Sequence, residues 1–251
     1  MIDALPVWQI ALVLLIFIWS GFVRTALGFG GAALSLPLFL LIIDNPVEII
    51  PIIGLHLLLS AGISLVSSYQ HIDWRYLGKT LIVILPFKII GVIGLLNLPA
   101  TVLNISVYLI TLAYAISYLM KTTPRIRVPG LDYALLAGGG YISGTSLIGA
   151  PLIIAVFAKS LPPIRLRATL FCLWILLVLI KMLGFIVTAT PLNVNWALYT
   201  LPFMAIGHIL GEKAHKKILQ VDKAKFLRII GLGLASICLI GLARTLYVSI
   251  G

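Results

Sequence analysis

Charge is scarce in this chain of 251 residues: 10% are Asp, Glu, Lys or Arg, while 61% are hydrophobic. A soluble domain carries roughly 25% charged and 45–50% apolar residues, so soluble classes are excluded. Acid is scarcest of all. Asp44, Glu48, Asp73, Asp132, Glu212 and Asp222 fall at the ends of apolar runs or between them, never in the middle of one. A carboxylate proton relay across the membrane therefore has no support. Only two cysteines occur, Cys172 and Cys238, both inside apolar runs with no second Cys or His at ligand spacing, so no metal is expected. They act as small buried hydrophobes. No Gly-x4-Gly-Lys-Ser/Thr loop is present, which leaves primary pumping by this chain without a basis. A Gly-x-Ser-x-Gly elbow is also missing. With no His–Asp pair placed to activate Ser143 or Ser146, an intramembrane enzyme is set aside. No cofactor is called for.

The residues that remain are those of a membrane protein. Mean hydropathy is +1.18. Met1-Ile2-Asp3 offers no basic region ahead of the first apolar run, so that run is expected to stay as a membrane segment rather than a cleaved signal. The net charge of +11 comes mostly from short connections between apolar stretches. Insertion with positive loops inside produces that distribution, and nucleic-acid binding is excluded because no soluble domain exists to carry it.

A spanning helix needs about 20 apolar residues. The long runs are 6–28, 47–68, 77–96 and 100–120 in the first half, then 131–148, 164–188, 195–211 and 226–247 in the second. Short apolar pieces at 32–43 and 151–158 follow the first long run of each half. The halves share sequence as well as order. Leu85-Pro86-Phe87-Lys88-Ile89-Ile90-Gly91 aligns with Leu201-Pro202-Phe203-Met204-Ala205-Ile206-Gly207, 116 positions on. Gly28-Phe29-Gly30-Gly31 aligns with Leu147-Ile148-Gly149-Ala150, 119 positions on. Two repeats, 1–122 and 123–251, are the expected domains.

The basic stretch Lys213 to Arg228 is placed inside, as are Lys159/Arg165/Arg167 and Lys121/Arg125/Arg127. Both ends of 131–159 then face the cytoplasm, so the break near Gly149 is the tip of a hairpin that enters and returns. The first-half hairpin enters from the opposite face, and both chain termini fall outside. The expected fold class is thus all-α and polytopic. It has about eight transmembrane segments in two inverted repeats, with broken or hairpin helices at the Gly-rich motifs, in a cell inner membrane. Inverted repeats of this kind place a transport site near the midplane.

Two breaks carry the strongest chemical signal. Gly28, Gly30 and Gly31 form the first; Gly144, Thr145, Ser146 and Gly149, with Pro151 just beyond, form the second. Non-helical backbone at membrane depth must be buried in protein or line a wet cavity. Each break precedes a new helix start, whose free N–H groups and positive dipole end attract anions. Ser143, Thr145 and Ser146 add hydroxyls at the second break, and Thr25 and Ser35 flank the first. Lys88 and Lys181 lie mid-span with no acid nearby in their own segments; such cations are costly and face a cavity or a partner. Arg24, near a segment end, is placed to snorkel as readily as to face inward. His56 and His208 lie in spans and could titrate, as candidates for coupling.

At these residues the chain resembles the sulfite exporter TauE/SafE family. Gly28-Phe29-Gly30-Gly31 with Pro37, then His71-Ile72-Asp73-Trp74-Arg75, carry the likeness in the first half. In the second half it is carried by Ser143-Gly144-Thr145-Ser146-Leu147-Ile148-Gly149-Ala150-Pro151, Leu161-Pro162-Pro163 and Arg165-Leu166-Arg167-Ala168-Thr169. Ala150 and Leu147 stand where the family pattern has glycine. The resemblance implies a transporter for sulfite, sulfoacetate or related anions.

An inside-negative potential drives anions outward by about 2.3 kcal/mol per charge per 100 mV. An anion exporter therefore needs no coupling ion, which fits the missing midplane carboxylates. The expected function is export or facilitated passage of a small anion, bound between the repeats by Lys88, Lys181 and the two helix starts. An ion-coupled importer is the alternative. A membrane assembly subunit is a weaker one, since the short loops offer little surface to a partner. The expected partners are a small anion and the lipid bilayer, with a homodimer left open.

Overall fold

The structure, a computed structural model, describes residues 5–27, 31–120, 130–218 and 223–250. Gly28, Phe29, Gly30, the basic residues Lys121, Arg125 and Arg127, and Asp222 lie outside them. The described residues form ten α-helices and one short 3-10 turn, with no strand. The helices are α1 (Val7–Leu27), α2 (Gly31–Phe39), α3 (Pro46–Val66), α4 (Trp74–Asn97), α5 (Ala100–Leu119), α6 (Leu131–Ser146), α7 (Ala150–Ser160), α8 (Pro163–Val187), α9 (Val194–Ile218) and α10 (Lys223–Ile250). Six of them contain stretches long and apolar enough to cross a membrane: α1, α3, α4, α5, α8 and α10.

Two compact units divide the chain. The first takes Met1–Ile49, Pro99–Ile126 and Leu198–Gly251; the second takes Ile50–Leu98 and Arg127–Ala197. Each draws helices from both halves of the sequence.

In the first unit α2 folds back along α1. The Trp19 indole donates to Leu34 O at 3.3 Å, and Ser35 Oγ donates to Gly31 O and lies 3.2 Å from Ser20 Oγ. The Phe17 and Phe39 rings pack with centroids 4.7 Å apart. Nearly every α2 side chain is buried, as a nine-residue helix of only about 13 Å must be if it does not cross. The turn after α2 is tied to two later helices. Asn104 Nδ2 donates to Asp44 O at 2.7 Å, Arg244 pairs with Asp44 at 3.0 Å, and Arg244 also donates to Leu41 O. Helices α1 and α9 cross so closely that a Cβ on Gly21 would collide with Met204 O, and one on Gly207 with Ile18 O.

In the second unit α6 and α7 form an antiparallel hairpin. Asp132 and Lys159, near its open ends, pair at 2.7 Å. At its closed end a Cβ on Gly149 would strike Gly139 O, so two backbones meet where only hydrogen fits. Leu147 turns the tip in the left-handed region, at φ 63°, and donates its N–H to Ser143 O at 3.3 Å. This is a conformation usually left to glycine or Asn. Helix α6 lies equally tightly on α4: a Cβ on Gly140 would come 2.6 Å from Ile84 O, one on Gly144 2.6 Å from Lys88 O, and one on Gly91 would collide with Tyr141 O.

The two loop motifs noted in the sequence lock together in this unit. The Asp73 carboxylate caps α4 by accepting from Tyr76 N at 2.9 Å. Its backbone N–H donates to Thr169 Oγ1 at 3.0 Å, and Arg165 pairs with it at 3.5 Å. A cap of this kind contributes about 1 kcal/mol.

Candidate functional site

Helix phase decides which mid-span groups face inward. On α4 the residues Leu77, Thr80, Ile84, Lys88, Gly91 and Leu95 are buried, at spacings of three and four. Ile82, Ile89, Ile90 and Ile93 are exposed on the other side, an apolar face suited to lipid. On α8, Leu173, Leu177, Lys181 and Phe185 are buried while Leu179, Leu183 and Ile186 are exposed. Both lysines thus sit on inward stripes, each with 0% relative exposure. Neither snorkels.

Their surroundings differ. Lys88 Nζ donates to Ser143 O at 2.8 Å and to Ser143 Oγ at 3.1 Å. Lys181 Nζ has no hydrogen-bond partner among the described residues. The helices that carry them, α4 and α8, pack on one another in this unit. The second unit contains two carboxylates, Asp73 and Asp132, and both sit at helix ends paired to Arg165 and Lys159. Two buried lysines in this unit therefore have no carboxylate partner within it. Burying one unpaired charge costs several kcal/mol, so an arrangement of this kind is kept for a ligand more readily than for stability.

The second break adjoins Lys88 through Ser143. A Cβ on Gly149 would lie 2.8 Å from Ser143 N, which places the start of α7 beside the residue that Lys88 grips. Ser143 Oγ accepts from Lys88. Thr145 and Ser146 are buried, but their hydroxyls donate to Ile142 O at 3.2 and 3.0 Å within their own helix. Gly144 is the close-contact point with Lys88 O and Gly91.

The other expected site residues fall elsewhere. Gly28 and Gly30 lie outside the described residues. Gly31 begins α2 in the first unit, where an added Cβ would lie 3.0 Å from the Arg24 side chain. His208 is also in the first unit, half exposed, with Nδ1 2.6 Å from Thr25 Oγ1 and Nε2 3.5 Å from Glu212. His56 is buried in the second unit, where Nε2 lies 2.8 Å from Ala197 O. Among the described residues no group of three or more His, Cys, Asp or Glu could hold a metal.

Sequence reasoning named Ser143 as a hydroxyl donor at the break but missed it as the anchor of Lys88. It also passed over Gly91, Gly139 and Gly207 as helix-crossing points. The signal for Gly91 and Gly207 was present, since they occupy equal positions in the two aligned stretches.

Apolar helices with exposed lipid-type faces define a multi-pass helical membrane protein. The sequence profile of the sulfite exporter TauE/SafE family matches residues 13–242. The chain belongs to that family, whose members are transporters and not enzymes. It is 30% identical over 125 residues to a protein of Cupriavidus necator named as a probable sulfite/organosulfonate exporter TauE. That match spans 47% of this chain and about half, 49%, of the relative's length. No solved structure matches the chain.

Proposed function

We propose that this protein moves a small anion, of the sulfite or organosulfonate kind, outward across a cell inner membrane without a coupling ion. The observation that carries this is the buried Lys88 held on Ser143 beside the start of α7, with a second buried lysine, Lys181, that has no hydrogen-bond partner among the described residues, on the adjoining helix α8. Gly144, Thr145, Ser146 and Gly149 frame this part of the site. In the same reading Gly28, Gly30 and Gly31 supply the equivalent helix start of the first half. The relative's name supports the sulfur-anion class.

The architecture proposed for this task is two inverted repeats, 1–122 and 123–251, with about eight spans and both termini outside. The repeats are supported by matching contacts. Gly91 of α4 meets α6, and its counterpart Gly207 of α9 meets α1. The first helix of each broken hairpin thus packs on the fourth helix of the other half. The opposite sense of the two hairpins is supported by the positive-loop pattern.

The test is flux of labelled sulfite from liposomes holding the purified protein, against Lys88→Met and Lys181→Met. Loss of flux in both variants is the expected result; unimpaired flux in either removes that lysine from the site. A second reading, proton-coupled import, is favoured by one contact, Thr25 Oγ1 on His208 Nδ1. Flux that requires a pH gradient and disappears in His208→Gln selects that reading instead.

A further inference from the structure

We infer that the inner face of α5 is hydrated: Asn104, Thr111 and Tyr114 bind a row of ordered waters, which gives the first unit an aqueous approach from the Asp44–Arg244 pair toward the start of α2. The inference does not depend on the anion-site reading above.

One stripe of α5 turns inward. Asn104, Tyr108, Thr111, Tyr114 and Ala115 are buried at spacings of one, three and four. Asn104 Oδ1, Thr111 Oγ1 and Tyr114 OH on this stripe have no hydrogen-bond partner among the described residues. Asn104 Nδ2 donates to Asp44 O at 2.7 Å, which fixes the amide's orientation and leaves its oxygen as the open atom. Thr111 differs from the two serines of its helix, since Ser106 donates to Val102 O and Ser117 to Tyr114 O.

The helices packed on α5, α10 and α2, supply nothing to these atoms. Gly231 and Gly241 of α10 meet Ala115 and Tyr108, so the segment between them lies along the stripe. Its one hydroxyl, Ser236, donates to Leu232 O. Arg244, further along, is held by Asp44. The single hydroxyl of α2, Ser35, donates to Gly31 O.

Water is the ligand that this chemistry fits. An amide oxygen needs a donor, and two hydroxyls can each donate and accept; water does both, and it commonly satisfies buried polar groups left without a protein partner. An anion would face the Asn104 oxygen. A single cation cannot serve all three, because Asn104 and Tyr114 are separated by about 15 Å of helix. Solvent reaches one end, where Asp44 and Arg244 are 63% and 42% exposed beside Asn104. At the other end Ala115 shares a packed cluster with Leu34, in the first turn of α2.

The test uses the full chain in lipid nanodiscs, in a buffer free of sulfur oxyanions. Thr111→Val and Tyr114→Phe remove the hydroxyls and keep the shape. With water bound, each variant loses a hydrogen bond, and Tm is expected to fall by about 2–4 °C. In a dry seam each would relieve an unpaired buried group, and Tm would rise. Hydroxyl radicals made from the protein's own water by X-ray pulses read the wild type directly, which keeps the test open should a variant fail to fold. Tyr114 is expected to be labelled well above Phe39, a buried ring of α2 in the same unit. A Tm that holds or rises in either variant, or Tyr114 labelled no faster than Phe39, overturns the inference.

Discussion

Replacing Lys181 with Met should make the anion-free protein more stable, an unusual outcome for a change at a fully buried position. The side chain is 0% exposed and its ammonium has no hydrogen-bond partner among the described residues. A lysine at the centre of a membrane helix costs about 2.5–3.5 kcal/mol. Methionine is similar in length, apolar and adaptable in packing, so most of that cost is relieved. A gain of about 2–3 kcal/mol is expected, which for a chain of this size corresponds to roughly 5–10 °C in Tm. Lys88→Met provides the contrast. It relieves a similar cost but removes two charge-assisted hydrogen bonds to Ser143, each worth about 1.5–3 kcal/mol, so its net effect should lie near zero or below. Thermal unfolding in detergent, with and without sulfite, reads both. Saturating sulfite at a hundred times Kd should raise wild-type stability by about 2.7 kcal/mol and leave Lys181→Met unmoved. A Lys181→Met protein less stable than wild type would refute the reasoning, because the ammonium would then be holding the fold rather than waiting for a ligand.

Three further outcomes follow from the packing and the histidines. Gly91→Ala and Gly207→Ala each push a methyl into the backbone of a crossing helix, at Tyr141 O and Ile18 O respectively; each should cost about 1–3 kcal/mol of stability by overpacking, measurable by thermal unfolding. Asp73→Ala removes the cap of α4 and should cost about 1 kcal/mol; faster hydrogen exchange in the first turn of α4 would report the loss, and unchanged exchange there would contradict it. If passage is uncoupled as proposed, His56→Gln and His208→Gln should leave sulfite flux within about twofold of wild type, because the membrane potential alone would then drive outward movement.

How far the sequence could be read depended on the range of the interaction. Six of the eight expected spans were legible because a run of about 20 apolar residues is a local property; the runs at 131–148 and 195–211 are not among the described helices long and apolar enough to cross. The α6–α7 hairpin was legible from charge: placing Lys121–Arg127 and Lys159–Arg167 on one side implied that the stretch turns back. The Asp132–Lys159 pair now joins its two ends. The lysines were legible as anomalies, since an ammonium in an apolar run is rare whatever surrounds it. What surrounds them was not legible. Ser143 lies 55 positions from Lys88, and whether the two meet depends on the phase of α4 against α6, which the Gly91, Gly140 and Gly144 crossing points set to within about one side-chain spacing. The same holds for Asp44 and Arg244, 200 positions apart. The hydroxyls at the second break looked alike in sequence. Only the helix geometry separates Ser143, which accepts from Lys88, from Thr145 and Ser146, which bond to Ile142 O.

The most direct test of uncoupled anion passage is electrical. Purified protein in liposomes is pulsed with sulfite, sulfoacetate and acetate, with and without a pH gradient. The account predicts a sulfur-anion current that persists with no gradient and vanishes in Lys181→Met. A current that appears only with the gradient, or that survives the loss of Lys181, would contradict it.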